Sequence, residues 1–281
     1  MVLPLLTTLF YEENDFQPLL ISMVIVLALG GPLRFFNPNF LELTIRDAVV
    51  VTVFGWSIIC AVSTLPFLIS GAIPSFTDAF FEMMSGFTTT GATILNDIES
   101  LDHGLLMWRS ETHFLGGMGF LTLTMIFLPH GMAGANLFRS ESSPGQVITR
   151  ERFLPRNRDA MIWLWILYTI MNGFNILLLW LGGMNWFDSI CHAFSTVATA
   201  GFSPKNASMA HYGSVYFDWV TIVFMMLGGV TFMLYYHMLK GHWKVVWKNT
   251  ELRWYLGISL FFCVMVSMIL WHNESYLSFF N

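Results

Sequence analysis

The sequence predicts an all-α integral membrane protein built on a repeated unit: a spanning helix, a short re-entrant helix, a polar loop and a second spanning helix. Two such units are complete and a third is begun. Three observations predict it. Of the 281 residues, 55% are hydrophobic and only 11% charged, with a mean hydropathy of +0.61, which is the balance of a chain that lives in lipid rather than of a soluble domain. Six apolar stretches approach the roughly 20 residues that a bilayer crossing requires. A polar stretch of unusual composition occurs twice, 110 residues apart.

The expected spans are 17–36, 49–69, 105–128, 161–181, 217–236 and 255–271. Residues 2–10 read as the tail of a further helix, too short to cross. They carry neither a basic leading region nor a small-residue cleavage site, so no cleavable signal peptide is expected. Residues 75–87 and 185–198 are also too short to span and read as re-entrant helices. Five regions follow: 1–46 with one spanning helix, 47–130 as the first unit, and 131–158 as a cytoplasmic loop. Residues 159–240 then form the second unit, and 241–281 a cytoplasmic loop plus the first helix of an incomplete third unit.

Charge orients the chain. With 17–36 running from outside to inside, eleven of the thirteen Lys and Arg residues fall on cytoplasmic loops, and only Arg109 and Lys205 do not. Short loops rich in basic residues stay inside, so both re-entrant segments open on the outer half. Glu12, Glu13, Asp15, Asp97, Glu99, Asp102 and Glu111 collect on or near the outer face. They concentrate cations there or are ordinary solvated loop; both readings stand.

The first re-entrant helix starts with Ser75 as a candidate N-cap and Asp78 three residues on, the spacing of a capping box. After about two turns come Thr88-Thr89-Thr90-Gly91-Ala92, a poor helix and a good extended loop. A loop this polar at membrane depth lines a water-filled cavity or is buried in protein. Asn185 and Asp188 repeat the cap, and Ser195, Thr199 and Gly201 repeat Ser85, Thr89 and Gly91 at the same offset. Two such loops, each between apolar segments, are an internal repeat. The pairs Gly116-Gly117 and Gly228-Gly229, each after a leucine, mark close helix packing, with a hinge as the alternative.

The run Ser85-Gly86-Phe87-Thr88-Thr89-Thr90-Gly91-Ala92-Thr93, followed by Leu115-Gly116-Gly117-Met118-Gly119, resembles the Trk, Ktr and HKT potassium transporters. The segment from Leu128-Pro129-His130-Gly131 to Asn136-Leu137-Phe138-Arg139-Ser140-Glu141 is most similar to the bacterial Trk translocating subunit. The resemblance implies a potassium-channel-like fold, placed multi-pass in the bacterial cytoplasmic (inner) membrane. Potassium would be taken up through a filter of backbone carbonyls, with or without proton or sodium coupling. It assigns the ion contacts to Thr89, Thr90 and Gly91 and to Thr199, Ala200 and Gly201. Potassium is the only metal implied, and no organic cofactor is. The implied partners are membrane lipid, a second copy in a homodimer and a cytoplasmic nucleotide-binding regulatory subunit; the basic loop 139–158 reads as its docking surface or, more cheaply, as a solvated positive-inside loop, and no nucleic acid is expected. The family surrounds one pore with four units, so this chain looks truncated at both ends. A non-conducting fragment or scaffold that needs a second chain is the alternative.

The remaining chemistry-bearing residues have plainer readings. Cys60, Cys191 and Cys263 show no metal-ligand spacing and read as small buried hydrophobes. The histidines, including His113, His192 and His237, form no H-E-x-x-H pattern, so an intramembrane enzyme is not expected. Asp78 and Asp188 read as caps. Glu82 and His192 occupy equivalent positions on the two re-entrant helices, where a titratable group is a functional suspect or a structural group at a wet vestibule. Arg109, near the outer end of its span, reads as snorkelling to the surface, or, as its family position favours, as a structural ion pair with an acidic residue on a neighbouring loop.

Overall fold

The computed structural model describes residues 1–33, 45–127 and 157–272, and every regular element among them is helical. The docking surface expected on 139–158 lies almost wholly outside the described residues, as does the motif that starts at Leu128. The chain divides into two compact units.

The first unit comprises Met1–Ser140 and Glu151–Gly229. Its helices are α1 (Val2–Tyr11), α2 (Phe16–Leu33), α3 (Ile45–Ser63), α4 (Leu65–Ser70), α5 (Phe76–Phe87), α6 (His103–Phe127), α7 (Asn157–Leu181), α8 (Trp186–Val197) and α9 (Val215–Gly228), with one 3-10 turn at Ser208–Tyr212. The re-entrant helices α5 and α8 sit at the centre of this unit. Ala79, Met83 and Phe87 of α5 pack with Leu5, Leu19, Cys60, Phe67, Leu105 and Trp108. Ala193 of α8 packs with Leu179, Met184 and Phe217. Phe187 and Cys191 of α8 join Met107 of α6 and bring the two repeats together.

Two expected spans are interrupted in the structure, although Val49–Ser70 still has the length and composition of a crossing. The stretch 49–69 is apolar enough to cross a membrane but is not one helix. Proline at position 66 has no N–H and crowds the preceding turn, so α3 ends at Ser63, and Phe67 N–H bonds to Thr64 O at 3.0 Å instead. The Ser63 carbonyl is taken by the indole of Trp108, at 3.1 Å. The span expected over 217–236 likewise breaks. Helix α9 stops at Gly228, and the N–H of Gly229 turns back onto Leu227 O and Met225 O.

The short helix α1 is a packed element. The segment that follows it caps α6: Glu13 accepts from the N–H of His103 at 2.6 Å and Asp15 from that of Leu105 at 3.0 Å. Both satisfy donors that a helix start leaves open. Part of the outer acidic cluster thus serves as helix caps.

The second unit comprises Glu141–Arg150 and Val230–Asn281, with α10 (Phe232–Leu239), α11 (Trp243–Lys248) and α12 (Thr250–His272) described. Asn249 caps α12 by accepting from Leu252 N–H at 2.8 Å, and Thr231 donates to Glu251 at 2.9 Å. The apolar window Thr250–Leu270 is long enough to cross a membrane, and none of it is buried. Its Leu260, Phe261 and Met268 side chains are the kind a lipid-facing helix presents.

Candidate functional site

The site is the pair of loops that follow α5 and α8. Each re-entrant helix begins on a side-chain cap. Ser75 Oγ accepts from Asp78 N–H at 3.5 Å, and Asn185 Oδ1 accepts from Asp188 N–H at 2.7 Å. The second cap is the more elaborate. Asn185 Nδ2 donates to Asp188 Oδ2 at 2.8 Å, Tyr212 donates its hydroxyl to the same oxygen at 2.8 Å, and Lys205 Nζ lies 3.8 Å away. Asp188 is buried, whereas Asp78 is exposed.

Both helices end in the same motif. After α5, Thr89 N–H bonds to Gly86 O at 3.1 Å and Thr90 N–H to Ser85 O at 2.9 Å. After α8, Thr199 N–H bonds to Thr196 O at 3.0 Å and Ala200 N–H to Ser195 O at 2.9 Å. These are Schellman closures, which place one residue in the left-handed region, usually glycine. Here that residue is threonine both times, with φ of 54° at Thr89 and 52° at Thr199. A β-branched residue in that region is strained, and such strain gathers at functional sites.

The consequence concerns carbonyls. The loop N–H groups turn back onto the helix ends. Among the described residues none donates a hydrogen bond to the carbonyls of Thr89, Thr90, Gly91, Thr199, Ala200 or Gly201. The two loops also meet. A Cβ placed on Gly91 would lie 2.7 Å from Ala200 O and 2.8 Å from Gly201 Cα, and φ at Gly91 is +75°. Only glycine fits there, for space and for backbone conformation alike.

The first glycine of each pair lets a neighbouring helix come close beneath these loops. A Cβ on Gly116 of α6 would lie 2.2 Å from Phe87 O, and one on Gly228 of α9 would lie 2.4 Å from Val197 O. Phe87 and Val197 are the last residues of the two re-entrant helices. Packing, rather than a hinge, explains Gly116 and Gly228.

Arg109 does not snorkel. It is 1% exposed and Glu82 is 0% exposed. Arg109 Nε and Nη2 both lie 2.8 Å from Glu82 Oε1. Thr93 donates to the same carboxylate at 2.9 Å, and the Ile94 N–H joins at 3.1 Å. Arg109 also donates to Ser203 O at 3.4 Å, and its guanidinium lies 4.1 Å from the centre of the Phe202 ring. One turn on, the imidazole of His113 stacks on that ring at 4.2 Å. Helix α6 therefore holds the first re-entrant helix with one end of Arg109 and the segment after the second loop with the other. Farther out, Asn206 bridges the same repeats, accepting from Ile98 N–H at 2.7 Å and donating to Asp97 at 2.9 Å.

The fold thus brings Gly91 of the first loop against Ala200 and Gly201 of the second, whereas the caps Ser75, Asp78, Asn185 and Asp188 lie at the far ends of the helices. Thr93 closes the motif run without a role assigned to it, and Phe202 and Ser203 are not singled out by the sequence, since each matters only through a partner distant in the chain. Among the described residues no cluster of histidine, cysteine or carboxylate side chains has the arrangement of a metal site.

A family model described as TrkH, cation transport protein, matches residues 16–273. The chain is 34% identical over 280 residues to the Trk system potassium uptake protein TrkH of Salmonella typhimurium, covering 98% of this chain and 58% of that protein. It is 33% identical over 280 residues to the Trk system potassium uptake protein TrkG of Escherichia coli strain K12, covering 98% and 57%. The crystal structure of the potassium transporter TrkH from Vibrio parahaemolyticus matches with a TM-score of 0.82 at 30% identity, over 98% of this chain and 56% of that one. The chain thus spans a little over half the length of these relatives. With the family model covering nearly all of it, the chain belongs to the TrkH family of cation transport proteins.

Proposed function

We propose that this chain takes part in potassium uptake across the bacterial cytoplasmic membrane and contributes two sides of the ion filter. A potassium ion sheds water to be selected, so the filter must offer oxygens in its place. The observation that supports this reading is the set of six loop carbonyls left without donors where the two repeats meet. Thr89, Thr90, Gly91, Thr199, Ala200 and Gly201 are the ion contacts, and the partial negative charge at the C-terminal ends of α5 and α8 favours a cation beside them. Ser75 and Asn185 with Asp78 and Asp188 hold the far ends of those helices. The chain is a transport protein rather than an enzyme, and the membrane potential, alone or with proton or sodium coupling, drives entry. Its partners are lipid, a second copy and a cytoplasmic nucleotide-binding regulatory subunit of the Trk type.

A second reading rests on the two loops themselves: they line only part of a ring, so conduction needs loops beyond these two. Growth of a potassium-uptake-deficient bacterial strain on low potassium separates the two. Rescue by this chain, abolished or made sodium-leaky by Gly91→Ser, is expected if it assembles a working filter. Membrane insertion without rescue would leave it as a part or a scaffold that another chain completes.

A further inference from the structure

The two loops share a closure but differ one residue later, in how a serine of the helix end meets the filter glycine. Ser195 lies in the last turn of α8, and its side chain is 5% exposed. Its carbonyl accepts the N–H of Ala200, and its hydroxyl accepts the N–H of Gly201 at 2.9 Å. In the first loop, Ser85 occupies the same place. There the N–H of Gly91 lies 3.5 Å from the Ser85 carbonyl, and the buried Ser85 hydroxyl has no partner. The glycines differ accordingly, with φ of +75° at Gly91 and +147° at Gly201.

A trans peptide points its N–H and its C=O in opposite directions. The Gly201 N–H and the Ala200 C=O belong to one peptide unit. Fixing the N–H on Ser195 therefore turns the Ala200 oxygen away from the helix and toward Gly91. That is where it lies, 2.7 Å from the position of a Cβ on Gly91. If this peptide rotated, an N–H would face the cation in place of an oxygen. Glycine at 201 makes the rotation sterically cheap, so a separate restraint is needed.

We infer that Ser195 is a positioning residue of the filter: its hydroxyl anchors the Gly201 amide and so holds the Ala200 carbonyl toward the ion. Ser85 does not do the same for the first loop, so the two halves of the filter are braced unequally. This role rests on the filter reading proposed above, and it is tested through both ion preference and the amide itself.

The chain, purified in lipid nanodiscs, is titrated with potassium and with sodium by thermal shift, as wild type, Ser195→Ala, Ser195→Thr and Ser85→Ala. Loss of one such hydrogen bond should lower the ratio of apparent potassium to sodium affinity by about fivefold to tenfold in Ser195→Ala. Ser195→Thr, which keeps the hydroxyl, should restore most of the ratio, and Ser85→Ala should leave it near wild type. A merely structural serine would lower the melting temperature equally in both salts and leave the ratio unchanged, and that result would overturn the role. With glycine labelled by nitrogen-15, hydrogen exchange at the Gly201 amide should quicken in Ser195→Ala and not in Ser85→Ala. Unchanged exchange at Gly201 would overturn the anchor whatever the filter selects. A wild-type chain without potassium preference would overturn the filter reading and this role with it, even if exchange at Gly201 quickened.

Discussion

Arg109 Nη2 lies 2.8 Å from Glu82 Oε1, with both side chains cut off from solvent. The pair joins α6 to α5, and through Ser203 O and the Phe202 ring it reaches the segment behind the second loop. Two buried charges are tolerable only because each satisfies the other and the surrounding hydrogen bonds are filled. Thr93 and Ile94 complete the carboxylate.

Removing one partner should therefore cost far more than removing both. Arg109→Met and Glu82→Leu, each alone, should lose about 3–5 kcal/mol of stability, because each leaves an unpaired buried charge. The double variant should lose less than either single variant, so the coupling in a double-mutant cycle should exceed about 3 kcal/mol, at or above the top of the usual range. Thermal unfolding in one detergent measures all four proteins; additive losses would show that the two charges do not depend on each other.

The glycines divide by what surrounds them. Gly116→Ala and Gly228→Ala drive a methyl into the carbonyls of Phe87 and Val197, which belong to helix backbone and have little room to yield. Each should be destabilising by about 1–3 kcal/mol, in the range of overpacking. Gly55, inside α3, has nothing within 4 Å of such a methyl. Gly55→Ala should be stabilising by up to about 1 kcal/mol through helix propensity. Melting temperatures of the three variants should move in opposite directions.

The two helix caps should differ in worth. The bond from Asp188 N–H to Asn185 is 2.7 Å and part-buried, whereas that from Asp78 N–H to Ser75 is 3.5 Å and exposed. Asn185→Ala should cost about 1–2 kcal/mol and Ser75→Ala no more than about 0.5 kcal/mol. Equal losses in chemical denaturation would refute the ranking.

Asp15 sets a pH dependence. Burial, together with the nearby charges of Asp102 and Glu13, holds its carboxyl above the ordinary carboxylate range. A carboxyl raised in the folded state binds protons more readily there than when unfolded. Its contribution is therefore favourable in acid and is lost as pH rises through the raised value. Asp15→Asn keeps an oxygen for the Leu105 N–H and removes the charge. It should match wild type in acid, exceed it in stability at neutral pH and flatten the profile between. A profile of unchanged slope would show that Asp15 is not its source.

Much of the architecture was legible in the residues. The 110-residue offset between Gly91 and Gly201 exposes the repeat, and the apolar runs place most of the helices. Local chemistry located the starts of α5 and α8, because capping is decided within four residues. The break at Pro66 was readable in principle, yet the hydrophobic run around it outweighed the proline. The break after Gly228 was less so, since a glycine pair is equally consistent with a tight helix crossing, and here Gly228 makes one.

The sequence by itself determined the membrane class, the family and the position of both loops, since composition, repeat spacing and motif order are properties of the chain alone. Only the tertiary structure decided that Arg109 is buried against Glu82, that Phe202 is held between Arg109 and His113, and that Ser195 and Ser85 bond differently. Each of those facts turns on which atoms share a few ångströms of space. A single sequence records residue order, and contacts across the fold are settled only when helices distant in the chain pack together.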